Sequence, residues 1–203
     1  GEIALLGRSV DVVDAVIDAS GDNGGNIRIG KDVASGALPT SVLVWLHDTS
    51  VVRADGLEGA GGDIAVGSTR RARVQGDISA QGTTLGGLVE TSSSSLNLSN
   101  LRVDASGLVE GGRWLAAAND IDIVSNALSF NQLDPSVIEA TLDNGTDIEL
   151  TTIESGTNGD IVLSESIAQN GGGNANLTLT GRRFINNGST IDLSSTGQLT
   201  FGI

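Results

Sequence analysis

The sequence predicts an all-β chain wound into a parallel β-helix. Three observations lead there: a frame of glycines that returns about every 25 residues, short runs of alternating polarity, and a shortage of large rings. The frame reads apolar-x-Ala-x-Gly and is followed by Gly-Gly. It occurs from Ile17 to Gly21 with Gly24 and Gly25, and from Val52 to Gly56 with Gly61 and Gly62. It returns from Ile78 to Gly82 with Gly86 and Gly87, and from Val103 to Gly107 with Gly111 and Gly112. The closing glycines of the frame step by 35, 26 and 25 positions, so the first interval carries an insertion of about ten residues. That insertion is expected near 37–50, a stretch that includes Pro39. A unit of this size cannot bury its own apolar face and must stack on its neighbours. Residues 1–203 therefore read as a single β-helix domain.

Each element follows from local pattern. Ile27 and Ile29, Ile64 and Val66, Ile121 and Ile123, Ile148 and Leu150, Ile161 and Leu163, Leu177 and Leu179, and Leu199 and Phe201 alternate with period two, which marks short strands. The stretch from Asp11 to Asp18 is read as strand because the Ile17 frame follows it directly. Gly, Asn and Asp bound these runs and supply the conformations that corners need. With a rise of about 4.8 Å per coil, the chain would hold about eight coils and extend about 40 Å. The narrow interior favours Val, Ile, Leu and Ala, in keeping with only 2 Trp and 3 Phe and no Tyr. Inward Ser or Asn at corners would bond to their counterparts one coil up.

One segment, 133–145, departs from the strand pattern. Asp134 stands at an N-cap position, Pro135 at the first helical position, and Gly145 at the stop, while Val137, Ile138 and Leu142 share one face. A short α-helix is expected near 135–143, decorating the coil.

Composition excludes several function classes. Eleven Lys and Arg against 25 Asp and Glu give a formal net charge of −14, a surface that repels phosphate backbones, so nucleic acid is not an expected partner. No apolar run is long enough to span a membrane as a helix. With 0 Cys there are neither disulfides nor thiolate metal sites. The chain begins at Gly1 without Met or a signal peptide, and it reads as a piece of a longer or processed protein.

Ordered motifs in the middle of the chain carry a family resemblance. Gly86-Gly87-Leu88-Val89-Glu90-Thr91-Ser92 is followed by Leu96-Asn97-Leu98, Val103 to Ser106, Gly112 to Leu115, and Asp120 to Ile123. Ile138 to Leu142, Asn144 to Thr146, Leu150 to Thr152, Gly159 to Ile161 and Asn176 to Leu179 continue the series. From about residue 15 onward the chain resembles filamentous-haemagglutinin-type exoproteins, the adhesins exported by two-partner secretion. Where that family often reads Trp-Leu and then Asp-Pro, this chain runs Trp114-Leu115-Ala116-Ala117-Ala118-Asn119. The resemblance implies a right-handed β-helix shaft of a secreted bacterial surface filament, in the extracellular space or on the surface of a Gram-negative-type cell. It implies an outer-membrane partner transporter during export. It also implies glycans or surface proteins of a host or neighbouring cell as partners in adhesion, aggregation or biofilm matrix. Terminal coils would expose strand edges, so end-to-end stacking is a further expectation.

No catalytic, cofactor-binding or metal site is assigned. Asp120 and Asp122 sit two apart on one predicted strand, and Asp63, Asp77 and Asp160 lie beside corner glycines, where acids cap corners and solvate faces. A polysaccharide lyase or hydrolase would instead gather such acids in a groove. His47 is the only histidine, lies in an apolar stretch, and reads as structural. The strict calcium nonapeptide is absent; Asp22-Asn23-Gly24-Gly25 and Gly61-Gly62-Asp63 only echo it, which leaves incidental calcium as the sole metal expectation. Arg70, Arg71 and Arg73 form the basic cluster, open to acids of an adjacent coil or to an anionic glycan. Asn97, Asn144, Asn176 and Asn187 head sequons, a weak signal in a chain rich in Asn, Ser and Thr. Trp45 and Trp114 are expected to be buried at corners, the alternative being stacking on sugar rings. A carbohydrate-binding module remains the rival to the shaft.

Overall fold

The computed structural model describes residues 1–31, 40–153, 159–171, 174–193 and 197–202. Its longest sheet has eight strands in chain order: Glu2–Leu5, Asn26–Ile29, Asp63–Gly67, Leu88–Ser92, Arg113–Ala118, Asp147–Thr152, Leu177–Thr180 and Leu199–Gly202. Every neighbouring pair is parallel. A second face stacks Ser9–Val12, Leu43–Leu46, Arg71–Val74 and Ser95–Asn97, and a third stacks Val16–Asp18, Val51–Arg53, Gly76–Ser79 and Leu101–Asp104. Later passes of the chain add Ile121–Ile123, Asp160–Leu163 and Arg183–Asn186, and then Ile167–Gln169 and Ile191–Leu193. The architecture is all-β, parallel and solenoid-like.

The glycine frame is the register. Gly21, Gly56, Gly82 and Gly107 bridge one another in series, and Ile17, Val52, Ile78 and Val103 pair as direct partners along the third face. The alanine of each frame, Ala19, Ala54, Ala80 and Ala105, is buried. Corner backbones approach so closely here that a side chain has no room. A Cβ on Gly86 would fall 1.8 Å from the Ala105 carbonyl oxygen and 2.2 Å from the Gly112 nitrogen. The expected stacking of corner hydroxyls is present too, with Ser68 Oγ 3.0 Å from Ser93 Oγ one pass later.

Inward rows of the long sheet bury like on like: Ile27, Ile64, Val89, Trp114, Ile148 and Leu177 follow one another in register. Trp114 is wholly buried inside this sheet rather than at a corner. The adjacent row makes room for it. Where that row elsewhere holds Ile29, Val66, Leu150 and Leu179, it carries Thr91 and Ala116 beside the indole, and Trp114 Nε1 donates to Thr91 Oγ1 at 3.1 Å.

Two expectations need correction. The insertion does not occupy 37–50. Ile29 pairs with Val66 and Val44 with Ala72, so the surplus residues of that coil lie between Ile29 and Val44, and Leu43–Leu46 and Val51–Arg53 are regular strands in register. Pro39 and the rest of 32–39 lie outside the described residues. Nor is the helix, Pro135–Asp143, a decoration. It packs against Leu101–Asp104 on one side and Ile167–Gln169 on the other, in the place where a third-face strand would sit. Val137, Ile138, Thr141 and Leu142 turn inward and are buried, so the interior stays closed.

A helix cannot extend a parallel ladder, so the flanking strands need other partners for their backbone groups. Side chains on and just after the helix supply them. Asn144 Nδ2 donates to the Val103 carbonyl at 2.8 Å, and Thr146 Oγ1 accepts from Ala105 N at 2.9 Å. On the far side Glu139 accepts from Ala168 N at 2.9 Å, and Asp143 accepts from Asn170 N and Gly171 N at 2.8 and 2.9 Å.

If the corner contact sets the stacking distance, Gly86→Ala should destabilise the fold by about 3 kcal/mol. Gly171→Ala, whose added Cβ would meet nothing nearer than 3.8 Å, should be close to neutral. Chemical denaturation of the two variants checks the contrast, and equal stabilities would contradict it.

Candidate functional surfaces

The outward rows of the second face bring together residues far apart in sequence. Along one row Ser9, Leu43, Arg71 and Ser95 are register partners; along the other Asp11, Trp45, Arg73 and Asn97 are. Trp45 is 42% exposed and Leu43 is 45% exposed. The Trp45 and His47 rings stack with centroids 5.0 Å apart, and His47 Nε2 lies 3.0 Å from Asp11 Oδ1. On the next strand the Arg73 guanidinium carbon sits 4.7 Å from the Trp45 ring centroid.

A further side chain comes from a distant part of the chain. After Ile121–Ile123 the chain loops back across Ser95–Asn97 and returns as the short strand Gln132–Leu133, which pairs with Ile121–Ile123. Asn97, buried beneath the loop, donates from Nδ2 to the Leu128 and Ser129 carbonyls at 2.8 and 3.1 Å. Asn126 and Asn131 take left-handed conformations at φ 56° and 61° to make the turns. Phe130 is thereby laid against the arginines, with its centroid 4.8 Å from Arg71 and 5.9 Å from Arg73. The result is a groove of about 320 Å³ whose lining includes Asp11, Leu43, Trp45, Arg71, Arg73 and Phe130.

Asp134 ties this loop to the helix. Its Oδ1 accepts from Ser136 N and Ser136 Oγ at 3.0 and 2.7 Å, and its Oδ2 accepts from Asn126 N at 2.6 Å. Burial pushes its pKa up, but the Ser136 hydroxyl, together with backbone N–H groups of Ser136, Asn126 and Ala127, outweighs burial and holds the carboxyl below its ordinary value.

A second groove, of about 480 Å³, runs along the third face beside the helix. Its acids answer to neighbouring protein groups. Asp55 accepts from Ser79 Oγ and Gln81 N, Asp104 from Gln81 Nε2, and Asp77 pairs with Arg102, whose pKa it raises.

The other sequence candidates disperse. Asp120 accepts from Gly159 N and Asp160 N at 2.9 and 3.2 Å, while Asp122 accepts from Ser164 Oγ at 3.1 Å. Asp160 pairs with Arg183, which holds its carboxyl below the usual range. Asp63 is exposed at a strand start. The His47 side chain has Asp11 as its hydrogen-bond partner and stacks on Trp45. Among the described residues no group of three or more His, Asp or Glu is placed to hold a metal ion. Of the sequon asparagines, Asn97 is buried, Asn144 and Asn176 are half-buried with their amides donated to protein oxygens, and Asn187 is exposed.

Trp45 corrects the sequence expectation: it faces solvent instead of being buried at a corner. In Leu43-Val44-Trp45-Leu46 every residue is apolar, so alternation could not tell the two faces apart. Its register partners Asp11 and Arg73 carry the missing signal. Phe130 has none, because a loop placed by Asn97 and Asp134 leaves no periodic trace. Scans against protein-family models and a search of curated proteins find no match to this chain.

Because the native Asp134 pKa is depressed, its stabilisation is present above the ordinary carboxylate pKa and is lost as pH falls through the native one. Asp134→Ala is expected to cost about 1–2 kcal/mol at pH 7. Its deficit relative to the parent should shrink as pH falls below about 4, followed by denaturant titration at each pH. A deficit independent of pH would contradict the cap.

Proposed function

We propose that the chain is a non-enzymatic shaft segment of a secreted bacterial surface adhesin, wound as a right-handed β-helix of about eight coils and exported by two-partner secretion. The observation that carries the reading is the unbroken eight-stranded parallel sheet, in which the partners of each inner strand lie on the passes before and after it. Such a ladder is stiff along its axis and holds whatever it carries away from a cell surface. Right-handed connection between parallel strands is the strong general preference. The ordered motifs from Gly86 to Asn176 support the filamentous-haemagglutinin-type assignment. Among the described residues no helix is long and apolar enough to cross a membrane.

Both ends of the stack favour continuation. At one end the inward side chains of Ile3, Leu5, Val10 and Ile17 are only partly covered. At the other, Phe184, Leu199 and Phe201 are 38%, 36% and 51% exposed, although their register partners earlier in the chain are buried. Further β-strands, of the parent chain or of a second copy, would cover these rows.

A carbohydrate-binding role is the second reading, favoured by the exposure of Trp45 beside two arginines. A polysaccharide-cleaving enzyme has less support, since Asp55, Asp77 and Asp104 in the third-face groove are already engaged by protein donors.

Antibody raised against this segment tests the shaft on intact cells producing the parent protein. Labelling is expected at the surface and should vanish when the partner transporter is inactivated; labelling only after lysis would contradict export. Reducing ends released from polysaccharides by the purified segment, and abolished by Asp104→Asn, would replace the shaft with the enzyme.

A further inference from the structure

The second-face groove has a property that the shaft does not require. Arg71 and Arg73 belong to a chain with a net charge of −14, yet neither takes part in an ion pair among the described residues. Asp11, two strands away on the same face, is engaged by His47. The two guanidinium groups stand on alternate residues of one strand and so project from the same face, where they repel each other unless an anion lies between them.

Stacking decides how they present themselves. A guanidinium lying over a ring uses its face for the cation–π contact and keeps its N–H donors in its own plane. Arg73 lies over Trp45 and near Phe130, and Arg71 lies over Phe130. No protein acceptor takes these donors in the described structure, and an in-plane fork matches the two oxygens of a carboxylate. Beside the fork the part of Trp45 left exposed by His47 and Arg73, together with Leu43, offers an apolar surface for the C–H groups of a pyranose. Ser9 adds a hydroxyl to the lining.

The groove is also preformed. Two of its sides are strands locked in register, and the third is a loop held by Asn97 and Asp134. Little ordering would accompany binding.

We propose that the groove formed by Leu43, Trp45, Arg71, Arg73 and Phe130 binds a uronic acid residue of an acidic polysaccharide. The carboxylate accepts from the in-plane N–H groups of Arg73 and Arg71, and the sugar lies against Leu43 and the exposed part of Trp45. The acidic surface of the rest of the chain works against dense polyanions such as duplex DNA, with about one charge per 1.7 Å of axis, more than against a chain bearing one carboxylate per sugar. The site stands on its own geometry, whether or not the chain is an adhesin shaft.

The test titrates the purified chain with alginate oligomers, dextran sulfate and neutral dextran at physiological salt. Binding is read by calorimetry and by tryptophan emission, which reports on Trp45 because Trp114 is wholly buried. Alginate should bind and shift the emission, and neutral dextran should do neither. Trp45→Ala and Arg73→Lys should each weaken alginate binding at least about tenfold, the lysine because it keeps the charge and loses the fork. Arg71→Lys, at an exposed position, is a further variant with the same expectation, and circular dichroism verifies the fold of each. Absence of alginate binding would overturn the proposal. So would binding that Arg73→Lys leaves intact and dextran sulfate matches, since charge alone would then account for it.

Discussion

Stacking at hydrogen-bonding distance demands that successive turns of backbone come together at every corner, and the corners are where side chains would otherwise hold them apart. Gly62, Gly87 and Gly112 each lie with the Cα face against the carbonyl oxygen of the matching glycine one pass earlier, Gly25, Gly62 and Gly87, where a Cβ would fall 2.0 to 2.1 Å away. This contact places the long-sheet strands that follow. From those strands come the alignment of the inward rows, the burial of one apolar side chain upon the next, and the fixed outward rows on which surface chemistry is arranged. A parallel strand has no tight turn of its own to set its register. Here the corner sets it.

Given that register, the departures from uniformity become interpretable. A large ring enters a narrow interior only where the neighbouring row shrinks, as Thr91 and Ala116 do beside Trp114. A helix enters the stack only where side chains complete the ladders that it interrupts, as Asn144, Thr146, Glu139 and Asp143 do. The same excursion that leads into the helix carries Phe130 back to the arginines of the second face. The least regular coil thus builds the most distinctive surface.

Most of the fold was legible because repetition writes register directly into sequence. The glycines of the frame and the alternating apolar pairs recur at the positions that pair, and the helix from Pro135 to Asp143 was announced by its own cap, proline and stop. What local pattern could not convey was how a segment lies against distant ones. A helix read in isolation looks like an ornament, since nothing in its own residues says that it fills a strand's place. The insertion lies earlier than local pattern suggests, because Leu43-Val44-Trp45-Leu46 is apolar throughout and hides its alternation. For the same reason Trp45 looked like core. The groove was least legible of all: it draws on strands of three coils and a loop anchored by Asn97, and Phe130 shares no spacing with the strand residues that it meets.

The central claim is that the chain advances along one axis by a fixed step per turn. Ala4, Thr178 and Thr200 lie in one outward row of the long sheet, on its first, seventh and eighth strands. Because the chain has 0 Cys, spin labels can be placed pairwise at these positions and their separations measured by double electron–electron resonance. The account predicts about 34 Å between Ala4 and Thr200, and a value about 4.8 Å shorter between Ala4 and Thr178. Separations that fail to grow by one strand spacing per pass, or that fold back on themselves, would contradict it.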